Sequence, residues 1–439
     1  MNIILKEKNN FFAIFLVLFL PIALITGPFL SDLCIILLSI ILLFKIRNES
    51  IKTYNLEYLF FFLIVAVYFI ISSILSDFKY HSLQSSLFYF RFIIFAYAFA
   101  FILLKINNLP KYLYLTILII LLFISLDAIY QYFFGINFFG FENKYPWTTQ
   151  YGNGAYHRVS GVFKDELKLG SYISKFIPIL VSLYFFLKIN KKFDKFLFFF
   201  VLIISILTIL ITGERAAFAY VIFFSIIGFL LFDINKKIKI IFIFIAFLLS
   251  SSFIYFDKTL KMRFDSIFNS INSPGYIYKN FDKIEDDIPL DISIFTNQHA
   301  RHYITAFRLF LDHPLTGIGP KNFRKLCDED KYRIEYACST HPHNTYIQLL
   351  SETGLVGFLL IFLLFIYQSY ILLMYFFKKY VLNKLYANSI ISINIGIFIN
   401  LWPITPTGSF YSNWNSIIFY LPFGVLLFLK FYEKFNKQL

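Results

Sequence analysis

Apolar residues along this chain are gathered into long runs separated by polar gaps. The runs lie near 11–27, 29–44, 58–75, 86–104, 112–133, 167–187, 196–212, 216–232, 240–256, 345–376, 387–402 and 414–429. Most have the length of roughly 17–25 residues that carries a helix across a bilayer core. Lipid offers no partner for backbone N–H and C=O groups, so such runs predict helices, whose hydrogen bonds close internally. The expectation is an all-α integral membrane protein with about twelve transmembrane helices. The gap at 257–344 is too long for a turn and holds a pattern of its own. From His299 to Asp312, Tyr303, Ala306, Phe307 and Phe310 recur at helical spacing, with Arg301, Thr305 and Arg308 on another face. The predicted organisation is therefore helices 1–9 over 1–256, a loop or cap with short helices over 257–344, and helices 10–12 over 345–439, in one integrated membrane domain.

Charge gives the orientation. Lys6 and Lys8 precede the first run; Lys45, Arg47 and Lys52, then Lys105 and Lys111, fill alternate gaps. The series continues with Lys188, Lys191, Lys192 and Lys195, with Lys236, Lys237 and Lys239, with Lys378, Lys379 and Lys384, and with Lys430, Lys434 and Lys437. Positive residues collect on the cytoplasmic side, so both termini are expected there and the long gaps 134–166 and 257–344 face outward. The first run is followed by Thr26-Gly27-Pro28-Phe29 with no small-residue cleavage site, and reads as a retained membrane helix.

Composition agrees: of 439 residues, 59% are hydrophobic and 15% charged, against about half and a quarter in soluble domains. The net charge of +14 sits in the topology-setting gaps, which removes the reason to expect a nucleic-acid partner. Cys34 lies in an apolar run. Cys327 and Cys338 share one polar segment, where an extracytoplasmic position would permit a disulfide.

Candidate chemistry gathers on the outward side. All 7 histidines (His81, His157, His299, His302, His313, His341 and His343) fall in outward gaps. Gly213-Glu214-Arg215 is a short turn that holds Arg215 at the membrane boundary, either as an anion clamp or paired structurally with Glu214. Arg301 opens the loop helix. Ser339-Thr340-His341-Pro342-His343-Asn344 runs straight into a helix, where an imidazole titrating near neutrality can take a proton from a hydroxyl. Arg158 precedes Lys164, Asp165, Glu166 and Lys168 at the entry of the sixth helix. Arg91 and Lys175 lie inside apolar runs, as functional groups or as snorkelling and ion-paired side chains. His299 and His302, or His341 and His343, could meet Glu285, Asp286, Asp328 and Asp330 around a metal, but no recognisable ligand spacing links them, so no metal is expected. Phosphate-cradling glycine loops, nucleotide motifs and a nucleophilic serine elbow are absent from the sequence, and no cofactor is expected.

Together these residues resemble the O-antigen ligase and O-antigen polymerase superfamily. Gly213-Glu214-Arg215-Ala-Ala-Phe218 is similar to the family's arginine turn, although Ala219 stands where leucine is frequent. The stretch from Arg301 through Asp312-His-Pro-Leu-Thr-Gly-Ile-Gly-Pro-Lys-Asn-Phe323 resembles the family's loop helix and following glycine turn. His343-Asn344, nine residues, then Gly354-Leu-Val-Gly357 matches the ligase spacing, and 158–172 resembles the segment entering the sixth helix.

The resemblance implies a GT-C-like fold and metal-independent, inverting glycosyl transfer on the periplasmic face of a bacterial inner membrane. The donor would be a glycan on undecaprenyl pyrophosphate and the acceptor a sugar hydroxyl of lipid A–core. On that reading His343 is the base and Arg215 and Arg301 are catalytic cations. Arg158, Asn344, His341, Glu214, Arg91 and Lys168 would contact substrate. A polymerase or a protein O-oligosaccharyltransferase of the same superfamily is the near alternative, and a lipid-linked oligosaccharide flippase or transporter the non-enzyme one.

Overall fold

Each of the twelve apolar runs is helical in the computed structural model, which describes residues 10–46, 56–143, 158–256, 261, 297–377 and 386–438. Lys6, Lys8, Arg47, Lys52, His157, Glu285, Asp286, Lys378, Lys379 and Lys384, with most of 257–296, lie outside the described residues. In chain order the helices are α1 Phe11–Thr26, α2 Pro28–Ile46, α3 Glu57–Leu75, α4 Lys79–Ser86, α5 Arg91–Lys105, α6 Leu109–Phe134, α7 Leu169–Phe186 and α8 Lys192–Thr212. They continue as α9 Arg215–Leu231, α10 Lys236–Phe256, α11 Asn297–Asp312, α12 Phe323–Leu326, α13 Thr345–Phe376, α14 Ala387–Asn400 and α15 Asn413–Gln438. An isolated β bridge joins Ile136 to Glu142.

Seven segments are long and apolar enough to cross a membrane: Glu57–Leu75, Lys79–Lys105, Leu109–Phe134, Leu169–Phe186, Lys192–Thr212, Thr345–Phe376 and Asn413–Asn436. Phe11–Thr26, Pro28–Phe44, Arg215–Leu231 and Ala387–Asn400 are shorter apolar helices. Large apolar side chains on the outer helices are bare, with Phe44 78%, Ile119 61% and Phe247 66% exposed. Water would not tolerate so much continuous apolar surface, but lipid would. The chain is an α-helical membrane protein.

Side-chain bonds between helices sort their ends into two sets. At one end Trp414 Nε1 donates to Leu24 O at 3.0 Å and Tyr172 Oη to Pro21 O at 2.8 Å. At the same end Arg91 joins Asp32 to Asn413. The starts of α2, α5, α7, α9, α13 and α15 thus meet the ends of α1, α3, α6, α8 and α14. At the opposite end Asn388 of α14 accepts from Asp233 N just beyond α9, at 2.8 Å. This up-and-down alternation puts the 158–168, 213–215, 297–344 and 402–410 segments together. The six described histidines share that end: His81 bonds Asn322 at 2.8 Å, and the other five lie within 297–344.

Within the bundle α5 is buried along nearly its whole length and packs closely on α15. The α7–α14 seam is polar. Pro178 interrupts α7, its carbonyl accepts from Ser392 Oγ at 2.9 Å, and Ser182 and Ser389 bond each other's carbonyls. Such bonds contribute on average about 0.6 kcal/mol each in membranes. They also fix α7, which carries one wall of the site.

Candidate active site

The site begins with a turn held in a conformation that a β-carbon disfavours. His343 has φ 59°, and a non-glycine residue there costs about 1–3 kcal/mol unless its surroundings enforce it. Three contacts do so. Thr407 N donates to His343 O at 2.8 Å. Asn344 caps α13, its Oδ1 accepting from Tyr346 N at 2.9 Å and Ile347 N at 3.1 Å. Its Nδ2 donates to Pro403 O at 2.7 Å. Asn344 therefore spends its side chain building the turn. Just upstream, Cys327 and Cys338 form a disulfide, and the free cysteine Cys34 is buried.

Four imidazoles meet around this turn. The His343 ring centroid lies 4.2 Å from His341, 5.1 Å from His302 and 5.7 Å from His299. A carbonyl can only accept, and this assigns the protons. His302 Nδ1 donates to Ala337 O at 2.5 Å, which leaves Nε2 with a lone pair. His341 Nε2 donates to Thr407 O at 3.3 Å and Nδ1 faces the Thr340 hydroxyl at 2.9 Å, so both of its nitrogens are engaged. Ser339 Oγ donates to His341 O at 2.6 Å; its contact with His343 Nε2 at 3.3 Å is then donated by the imidazole. The basic nitrogen of His343 is Nδ1. Among the described residues, His299 Nδ1 and His302 Nε2 are buried with no hydrogen-bond partner.

Burial, reinforced by His341, His302 and His299, lowers the pKa of His343 to about 3. Burial first, then the charges of His302 and Arg215, lowers His299 to about 4. Burial likewise lowers His341 to about 4, against the opposing bond to Thr407. All three are neutral near pH 7, and the near-neutral titration expected of the turn's imidazoles is corrected: burial holds them well below it. Among the described residues no group of three or more His, Cys, Asp or Glu side chains is arranged to hold a metal ion; His302 Nδ1 and both His341 nitrogens point instead at backbone and hydroxyl partners.

His299, His341 and His343 line a cavity of about 640 Å³ that also takes in Arg158, Lys168 and Lys175. Arg158 is placed by α6: Gln131 Oε1 accepts from Ser160 N at 3.1 Å and Gly161 N at 2.7 Å, and Arg158 Nε donates to Thr212 O at 3.3 Å. Glu214 faces α7, accepting from Gly170 N at 2.7 Å, Ser171 N at 2.9 Å and Ser171 Oγ at 2.6 Å. Burial raises its carboxyl, opposed by those bonds and by Arg158. Arg215 opens α9 beside the cavity wall at Ala216, and its charge reaches both His299 and Arg158. Lys168 pairs with Glu166 and sits 5.4 Å from the Trp414 ring.

Two cations named from the sequence lie elsewhere. Arg301 Nη1 donates to Glu335 O at 2.8 Å, and its guanidinium lies 5.7 Å from the Tyr336 ring centroid, away from the cavity lining. Arg91 is tied to Asp32 at 3.1 Å and Asn413 at 2.9 Å, with its guanidinium 4.3 Å from the Phe92 ring centroid. It joins three helices and does not line the cavity.

The sequence reading missed the support beneath the site. Glu352 is fully buried and accepts from Lys321 N, Phe323 N and Gln348 Nε2 at 2.9, 3.1 and 2.9 Å. Gln348 Oε1 in turn accepts from Phe410 N at 2.9 Å. The available signal was a Gln and a Glu four residues apart in an otherwise apolar helix. Gly354 breaks α13 with φ 64°, and the turn at Leu315–Gly317 fills the break. A β-carbon on Gly354 would sit 2.3 Å from Leu315 O, and one on Gly317 2.4 Å from the Glu352 carbonyl carbon. The spacing of the two glycine motifs thus reflects one interlock.

Comparison with curated proteins gives no match. Residues 200–362 match the family model described as O-Antigen ligase, a stretch that includes Arg215, Arg301, His341, His343 and the Gly317–Gly354 interlock. Over residues 200–362 the chain is thus similar to the O-antigen ligase family.

Proposed function

We propose that the protein is an O-antigen ligase that moves a glycan from undecaprenyl pyrophosphate to a sugar hydroxyl of lipid A–core. The observation that carries this is the basic Nδ1 of His343 at a cavity whose wall holds Arg158 and Lys168, with Arg215 beside it. The acceptor oxygen attacks the anomeric carbon in line as its proton passes to His343 Nδ1. The bond from the anomeric carbon to the phosphate oxygen breaks, with inversion, and undecaprenyl pyrophosphate leaves with both electrons. Arg215, Arg158 and Lys168 neutralise the charge that develops there. Their guanidinium and ammonium groups also hold the donor, which spares the reacting atoms much of the entropy of meeting. His341 orders the turn, Glu214 locks the start of α7 to the start of α9, and Arg301 holds the 335–336 segment over α11.

The alternation of helix ends supports a topology in which all twelve helices cross the inner membrane, both termini are cytoplasmic and the site is periplasmic. The gaps rich in lysine at 188–195 and 236–239 then lie at the end opposite the histidines, as the distribution of positive charge requires.

The test is purified protein with undecaprenyl-pyrophosphate glycan and lipid A–core, in chelator and without added metal. Glycosylated lipid A–core is the expected product. Lengthening of the lipid-linked glycan with lipid A–core untouched would instead make the protein a polymerase. Movement of the donor across a vesicle bilayer without transfer would make it a transporter.

A further inference from the structure

Lys175 is left unexplained by the reaction as drawn, although it lines the same cavity. It belongs to a stripe on α7: Lys168, Ser171 and Lys175 all face the cavity, at the i, i+3, i+7 spacing of one helix face. Its ammonium lies 3.7 Å from the centroid of the Tyr220 ring, and Tyr220 Oη is itself fixed by Thr405 Oγ1 at 2.8 Å. Among the described residues no carboxylate pairs with it. An ammonium inside a membrane bundle without a counter-ion is costly, and one that faces a cavity marks a place for an anion.

Depth decides which anion. The helices α7, α9 and α15 all start at the histidine end. Lys175, Tyr220 and Ile418 each lie six or seven residues into their helices, about 9 Å below the rim at 1.5 Å per residue. The cavity is therefore graded, with imidazoles, Arg158 and Lys168 at its mouth, one ammonium below, and Ile418 and Phe419 at the level of that ammonium. A lipid-linked donor is graded in the same order: glycan, first phosphate, second phosphate, isoprenoid.

We propose that Lys175 binds the lipid-side phosphate of the donor diphosphate, while the cations at the mouth hold the glycan-side phosphate. Lys175 thereby selects a diphosphate over a monophosphate carrier and holds the leaving group after transfer. This rests on the ligase reading, and its test is binding rather than turnover. Undecaprenyl diphosphate and undecaprenyl monophosphate, neither bearing glycan, are titrated into the purified full-length protein, with the fluorescence of Trp414, which lines the cavity, among the signals. The wild type is expected to prefer the diphosphate. Lys175→Met is expected to bind the diphosphate about tenfold or more weaker, as loss of a charged hydrogen bond implies, with monophosphate binding little changed. Lys175→Arg should retain most of the preference. An assay independent of any variant follows acetylation of wild-type Lys175 by acetic anhydride, read by mass spectrometry; the diphosphate should slow it and the monophosphate should not. Equal diphosphate affinity in wild type and Lys175→Met, or labelling of Lys175 indifferent to the diphosphate, overturns the inference. A wild type that binds the diphosphate through Lys175 yet transfers nothing sinks the ligase reading and leaves this one standing. A wild type that transfers glycan while Lys175→Met binds normally does the reverse.

Discussion

His343 combines a strained backbone, a neutral imidazole and a free Nδ1, and each property has a measurable consequence. On the proposed mechanism, removing the base should cost about 10²–10⁴ in rate, so His343→Ala is expected to abolish detectable transfer while the protein still inserts. The cluster also sets a pH dependence of stability. Folding lowers His343 to about 3 and His299 and His341 to about 4, from the usual value of about 6.5. Between those values and 6.5 the unfolded chain binds more protons than the folded one. Stability therefore rises with pH across that window and is complete above it. The thermal midpoint in detergent should fall as pH drops from about 6.5 toward 4, and less steeply in His343→Asn. Glu214 makes a different prediction. Glu214→Ala leaves Gly170 N and Ser171 N without their acceptor, a loss of about 1–3 kcal/mol, and should lower the midpoint as well as transfer; Glu214→Gln should restore most of both. His343, Arg158 and Lys168 stood out in the sequence as polar groups at the ends of apolar runs, and the fold brings them to one cavity. Arg301 and Arg91 fall outside that lining, a placement the sequence does not show, since a charge in a sequence does not reveal whether a carbonyl or a carboxylate waits for it.

The helices were readable from the apolar runs because each must satisfy its own backbone in lipid. Breaks and joins were harder to read. α13 reads as one uninterrupted run, yet Gly354 breaks it, because the carbonyls that fill the break arrive from Leu315–Gly317, far away in sequence. α3 shows why. Tyr68, Ser72 and Ser76 repeat at four-residue spacing and donate to Leu315 O, Thr316 O and Ile318 O at 3.0, 2.8 and 2.6 Å. This hydroxyl ladder holds the incoming turn in the break. Gly354→Ala should cost about 1–3 kcal/mol from overlap alone, with the left-handed φ adding to it. A lowered thermal midpoint and reduced transfer in that variant, with Gly135→Ala, left-handed but with open space around its β-carbon, as comparison, would register the interlock.

For the whole molecule, the ends of the helices place the histidines, the cavity and the Cys327–Cys338 disulfide at one face of the bundle. A disulfide persists in an oxidising compartment, so differential alkylation of protein extracted without reductant should find Cys327 and Cys338 blocked and Cys34 a thiol. Free thiols at 327 and 338 in that sample would contradict a periplasmic site. This face was legible from charge asymmetry alone, whereas the cavity was not, because it is assembled from α7, α9, α11, α13, α14 and α15 and three connecting segments. The central claim is that this cavity performs glycosyl transfer with His343 as base and Arg215 at the leaving group. Its most direct measurement is the initial rate of transfer from undecaprenyl-pyrophosphate glycan to lipid A–core by wild type, His343→Ala and Arg215→Ala, each verified as folded and inserted. The account predicts transfer by wild type and a loss of at least about 10² in both variants. Transfer by His343→Ala at the wild-type rate would contradict it.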